Sequence, residues 1–305
     1  LRLATDRCVL IGGVEIVVST PPSVKPRITD PLYRQFQGRF AGAPPVQRIS
    51  VRLICDAWPP ARDVEKVFDT RDSWSLCRDG RDYWLSLAPP RRQTPLWVAR
   101  FDRGVKRVDL YCQAGPAEGR GTREVLLPLV YPLDQLLLMY FFARRKGILA
   151  HAAGIVRGGR AFIFAGASGA GKSTFSELLV KAGIGKMLSD ERMIVRETGG
   201  EMTAFGTPWA GTAGIARSGS APLAGIFFLR HGRSNDIASL DPVPAADRML
   251  PMITVPWYDP DTAAPIIAFA RRLFARVPAY EFRFAPDRPA ADCFWEFVKK
   301  MFGRS

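Results

Sequence analysis

Over residues 1 to about 125, apolar and polar positions alternate in short runs. Residues 8–11 and 14–18 flank Gly12-Gly13 and predict a hairpin, while 48–54 alternates as a half-buried strand does. Runs at 74–77 and 83–87, joined by a turn at Arg78-Asp79-Gly80, and at 96–101 and 107–112 extend this into a meander of short strands. Residues 20–45 are proline-rich and poorly periodic, which predicts a loop or a peptide-docking segment. The most apolar stretch is 125–143. Pro128, Pro132 and Asp134 interrupt it, so a buried helix from Pro132 to about Lys146, stopped by Gly147, is expected rather than a membrane span.

Beyond it, strands and helices interleave. Strand-like runs at 148–152 and 154–157 lead through a turn at Gly158-Gly159 into a buried strand at 160–165, and 174–182 reads as a helix stopped by Gly183. A short strand at 186–189 ends at Asp190-Glu191, 193–196 and 202–205 form a hairpin around Gly199-Gly200, and 224–229 is a continuous apolar strand. Helices at 245–250, 262–276 and 290–302 and a strand at 280–284 complete the chain. The pattern predicts a β-rich region over 1–128 and an α/β domain over 129–305.

Between the strand at 160–165 and the helix after it lies Gly166-Ala167-Ser168-Gly169-Ala170-Gly171-Lys172-Ser173, followed by Thr174. This fits the phosphate-loop pattern G-x-x-x-x-G-K-[ST] in the strand-loop-helix context that it needs. Glycines let successive N–H groups turn inward around an anion, and the helix start adds the positive end of its dipole. Lys172 supplies a mobile positive charge for nucleotide phosphates, and the Ser173 hydroxyl is suited to bind Mg²⁺.

Such a loop alone says only that nucleotide binds. Many phosphate-loop enzymes add an apolar strand ending in an acid, but 224–229 ends in Arg230-His231. The available acids are Asp190 and Glu191. One carboxylate, Glu191, would hold Mg²⁺ while the other, Asp190, takes the proton of an attacking hydroxyl. The alternative is a solvated turn in which Asp190 caps backbone. His151 lies on a strand expected beside the phosphate-loop strand, where it bonds a phosphate, orients the acids or serves structure alone. His231 reads as a surface loop residue, and the turn-rich segment 206–212 around Trp209 is either a substrate-facing loop or a cap on the core.

Composition narrows the partners. The net charge of +14 comes from 43 basic residues, of which nine are lysine, against 29 acids. Small clusters at Arg91-Arg92, Arg144-Arg145-Lys146 and Arg271-Arg272 are not joined into a long run, and no nucleic-acid reader motif accompanies them. An acidic peptide suits this charge better than nucleic acid. Five widely spaced cysteines without a C-x-x-C pair suggest reduced thiols in a cytoplasmic protein, and residues 1–20 lack the apolar core of a signal peptide.

The span from His151 to Glu191, HAAGIVRGGRAFIFAGASGAGKSTFSELLVKAGIGKMLSDE, resembles the catalytic core of HPr kinase/phosphorylase. That family places a histidine strand before the phosphate loop and two aspartates after the loop helix. Glu191 stands where the second aspartate would be. The resemblance implies a P-loop kinase domain of the type related to phosphoenolpyruvate carboxykinase, ATP and Mg²⁺ as cofactors, a protein serine as acceptor, and a homo-oligomer. The chain is more similar to divergent relatives, among them kinases of lasso-peptide pathways that phosphorylate a precursor-peptide serine. The expectation is an ATP-dependent serine kinase. A small-molecule kinase and a nucleotide-sensing binding module remain open from the residues alone.

Overall fold

A computed structural model describes residues 4–38, 47–59, 64–89, 94–118 and 122–303. The Arg91-Arg92 cluster and residues 39–46 of the proline-rich segment lie outside the described residues. The chain divides into two compact units, one of residues 1–144 with 256–262, the other of residues 145–255 with 263–305. The boundary expected at 128/129 therefore falls sixteen residues early, because the apolar helix that follows it belongs with the first unit.

In the first unit β1 (Ala4–Ile11) and β2 (Val14–Thr20) form the expected hairpin, with Gly12 and Gly13 at φ 59° and 71°. The proline-rich segment is not a plain loop. It holds β3 (Val24–Arg27) and a 3₁₀ turn (Pro31–Phe36) whose Tyr33 and Phe36 are buried. Next come β4 (Gln47–Cys55), β5 (Glu65–Asp69), β6 (Trp74–Asp79), β7 (Asp82–Leu87), β8 (Trp97–Asp102), β9 (Arg107–Cys112), β10 (Ala117–Glu118) and β11 (Thr122–Leu126).

The main sheet runs β1-β2-β4-β9-β8-β7-β6-β5, and β3 joins β10 and β11 in a small second sheet. Only β5 to β9 are a meander; β4 is inserted with parallel partners β2 and β9. A repeating alternation reveals a strand but not the direction of its neighbour. Helix α1 (Leu133–Ala143) is buried along its whole length, Asp134 and Gln135 included, and from Leu136 onward it is apolar all round, as a buried helix is. Gly147 does not stop it. Lys146 takes the left-handed turn, φ 53°, and Gly147 opens the next strand.

The second unit contains β12 (Gly147–Arg157), β13 (Arg160–Ala165), α2 (Lys172–Lys181), β14 (Lys186–Ser189), β15 (Arg192–Thr198), β16 (Glu201–Phe205), β17 (Ser220–His231), β18 (Asp236–Leu240), α3 (Pro242–Met249), α4 (Pro260–Phe274, from residue 263 in this unit), β19 (Ala279–Phe284) and α5 (Arg288–Phe302). Strands β12 and β17 are long enough to pair with three strands each. The first half of β12 pairs with β15 and its second half with β14, while β13 lies on its other side. Strands β13, β17 and β19 run parallel to one another. This is a mixed α/β sheet with a parallel centre.

Aromatic packing fixes the element that matters most. Phe175 on α2 is fully buried, with ring centroids 5.0 Å from Phe164 on β13, 5.1 Å from Phe282 on β19 and 5.7 Å from Phe294 on α5. Each such ring contributes about 1.5–3 kcal/mol by burial. The strand before the glycine loop and the helix after it are thus both pinned to one core.

Candidate functional site

The loop from Gly166 to Ser173 leaves the C-terminal end of β13, which lies between antiparallel β12 and parallel β17, and enters α2 at Lys172. Its glycines are required for different reasons. A Cβ on Gly166 would lie 2.7 Å from Ala170 Cβ, and one on Gly171 would lie 2.7 Å from Phe284 Cζ with φ already at 90°. Gly169 sits at φ 78° with open space where its side chain would be. Such a bend, ending at a helix N-terminus, fits an anion cradle.

Lys172 is buried along its stem, and its ammonium donates to the carbonyl oxygens of Gly166 at 2.7 Å and Ala167 at 3.2 Å. Burial pushes this lysine below its usual range, against an opposing pull from the Glu191 carboxylate. Ser173 is half-buried and Thr174 exposed at the start of the helix.

Asp190 and Glu191 follow β14. That strand does not neighbour β13 directly, since β12 lies between them. Because β12 is antiparallel to both, β13 and β14 run the same way and their C-terminal ends reach the same sheet edge. The glycine loop and the acidic pair meet there. His151 on β12 precedes Ala152, the residue paired with Ala165 at the loop entrance, and its Nδ1 lies 3.0 Å from Glu191 Oε1. The Ala152 N–H donates to the Glu191 carbonyl, which fixes the two residues side by side. Burial first, and then the Lys172 charge, lower the proton affinity of His151, while Glu191 acts the other way. The Glu191 carboxylate therefore acts on both Lys172 and His151, and Lys172 acts on His151.

The two acids have different surroundings. Asp190 is 1% exposed, and its carboxylate accepts backbone N–H bonds from Gly211 at 2.9 Å, Ala213 at 2.8 Å and Ile215 at 3.3 Å. It anchors the loop between β16 and β17 rather than facing outward. Glu191 keeps a half-exposed carboxylate. A Cβ on Gly211 would lie 2.9 Å from Glu191 Oε2 and 3.1 Å from Asp190 Oδ2, so a glycine here lets loop backbone rest directly on the acids. Within the same loop Trp209 is buried, which resolves its role in favour of a cap on the core. Thr207 Oγ1 donates to the Arg192 carbonyl at 2.6 Å and secures the loop's other end.

His231 is the residue that sequence reading misplaced. It ends β17 and is exposed, yet its Nε2 lies 2.9 Å from the Gly169 carbonyl oxygen and its ring stacks on Phe284, with centroids 5.5 Å apart. The available signal was topological: a strand parallel to β13 must end at the edge where the loop emerges. Among the described residues no group of three or more His, Cys, Asp or Glu side chains converges as a ready-made metal site. No described helix is long and apolar enough to cross a membrane.

A solved structure of the Hpr(Ser) kinase/phosphatase from Coxiella burnetii is similar to this chain at 10% identity and a TM-score of 0.31, over 50% of this chain and 88% of that one. No curated protein matches the sequence. The family model for the SynChlorMet cassette protein ScmC matches residues 126–303, which include the glycine loop, the acidic pair and both histidines. That match spans more than half of the 305 residues, and the chain belongs to the ScmC family.

Proposed function

We propose that this protein is an ATP-dependent phosphotransferase with an alcohol acceptor, a serine on a peptide or protein. The observation that carries the reading is the meeting of Lys172, His151 and Glu191 at the edge where the glycine loop begins. Gly166 through Thr174 would hold the phosphates, and the Ser173 hydroxyl would bind Mg²⁺. When bound, ATP supplies the transferable phosphoryl group and Mg²⁺ neutralises its charge.

The chain's own residues divide the remaining work. Lys172 is held inside the loop by two carbonyls, close enough to turn its ammonium toward a phosphate without crossing solvent. The proton-accepting role moves from Asp190 to Glu191, because the Asp190 carboxylate is engaged by three backbone donors. With its proton affinity lowered, His151 is neutral and donates Nδ1–H to Glu191 Oε1, which orients the carboxylate and leaves Oε2 for an acceptor hydroxyl. The loop from Gly206 to Ile215 lies against this pair through Gly211 and excludes water from one side.

The test is nucleotide binding and transfer measured on the same preparations. Lys172→Ala should lose ATP affinity, whereas Glu191→Gln should bind ATP and fail to label a serine-bearing peptide. Wild-type protein that binds no ATP would overturn the reading.

A further inference from the structure

Two of the basic clusters visible in the sequence meet in the fold, and the proposed reaction does not use them. Lys146, in the turn just before β12, places its ammonium 3.3 Å from Glu197 Oε2. Arg272 and Arg276, near the end of α4, place guanidinium nitrogens 3.2 Å from Glu197 Oε2 and Oε1. One carboxylate thus stands among three cations. Arg196 beside it on β15 is buried, and burial together with Arg145 pulls its guanidinium down to about 10. The site is locked in shape. Arg276 also donates to the Gly200 carbonyl, and Arg272 lies over the Phe269 ring at 5.3 Å. Its cations remain accessible, with side chains 59%, 41% and 39% exposed for Lys146, Arg272 and Arg276.

The geometry points to a docking site for an acidic peptide segment, formed by Lys146, Arg272 and Arg276 around Glu197. Planar guanidinium groups match carboxylates in pairs, and held side chains lose little further freedom on binding. Nucleic acid fits less well. Its binders spread six to ten phosphate contacts along a groove and stack bases on exposed rings, whereas this cluster is compact and Phe269 is buried.

Strand register gives the spacing. Gly147, next to Lys146, pairs with Arg196, next to Glu197, and His151 pairs with Arg192, so Lys146 stands five residues before His151 along the chain. That is about 16 Å at strand rise. If the kinase reading holds, an acceptor peptide carries its acidic stretch at least five residues from the phosphorylated serine. The spacing rests on that reading; the docking does not.

Direct binding, without ATP, separates the two. Fluorescein-labelled octaglutamate is titrated by anisotropy against the full chain, Arg272→Ala/Arg276→Ala and Glu197→Gln, at low and moderate salt. The expected result is salt-sensitive binding that the double variant weakens by about tenfold or more, while Glu197→Gln strengthens it by removing the competing carboxylate. A purely structural ion-pair network predicts no gain in the glutamine variant. Absence of octaglutamate binding, equal binding by the double variant, or tighter binding of a single-stranded oligothymidylate would overturn the assignment. Docking without phosphoryl transfer would leave this inference standing and remove the kinase reading.

Discussion

Replacing Asp190 by Asn distinguishes an anchoring carboxylate from a catalytic one. Oδ1 accepts from Gly211 and Ile215 and Oδ2 from Ala213, and the side chain is 1% exposed. Asparagine retains one acceptor oxygen and turns an –NH₂ toward the other donor. A hydrogen bond to a charged group contributes about 1.5–3 kcal/mol and a neutral one about 0.5–1.5, so two bonds lose about 1 kcal/mol each and the third is lost outright. The sum is about 3–5 kcal/mol. For a unit of about 150 residues this lowers Tm by about 6–20 °C. Thermal unfolding reads the total, and hydrogen exchange at the amides of Gly211, Ala213 and Ile215 reads the local part. An Asp190→Asn protein with wild-type Tm and protection but no phosphoryl transfer would refute the anchor and return Asp190 to the role of base.

Other substitutions probe the glycine loop and its neighbours. Gly171→Ala combines a positive φ with a 2.7 Å approach to Phe284 and should cost about 2–5 kcal/mol, whereas Gly169→Ala meets nothing and should cost about 1–2, a difference visible in denaturant midpoints. Lys172→Met removes a buried ammonium of lowered proton affinity; Tm should hold or rise while any stabilisation by added ATP disappears, as scanning fluorimetry with and without nucleotide will show. Because His151 binds a proton less readily when folded, the unfolded chain takes up more protons below about pH 6.5. The stability tied to neutral His151 is then complete above that pH and falls as the solution is acidified through the folded value. Denaturation midpoints between pH 5 and 7 should fall more steeply for wild type than for His151→Gln.

Most strands and helices were legible because their apolar period is local. The hairpin at Gly12-Gly13, the strand-loop-helix around Gly166 and the buried helix after Pro132 follow from neighbouring residues alone. Long-range pairing was not. Nothing in the alternation of β4 announces two parallel partners, and nothing in Lys186 to Ser189 says that β12 separates β14 from β13. The site shows the same division. Motif and spacing single out His151, Lys172 and Glu191 as candidates, but the commitment of Asp190 to a loop more than twenty residues later depends on folding. So does the approach of His231 to Gly169, which its reading as a surface loop residue did not include. The convergence of Lys146, Arg272 and Arg276 on Glu197 joins residues up to 130 positions apart that read separately as a basic surface.

The central claim is that the glycine loop and the His151–Glu191 pair form one phosphoryl-transfer site. The most direct measurement is transfer of labelled γ-phosphate from Mg²⁺-ATP to serine-bearing peptides by wild type and Glu191→Gln, with nucleotide binding followed in parallel. The expected result is peptide-bound label with wild type, and unchanged ATP binding but loss of label with Glu191→Gln. Equal labelling by the two proteins would contradict it.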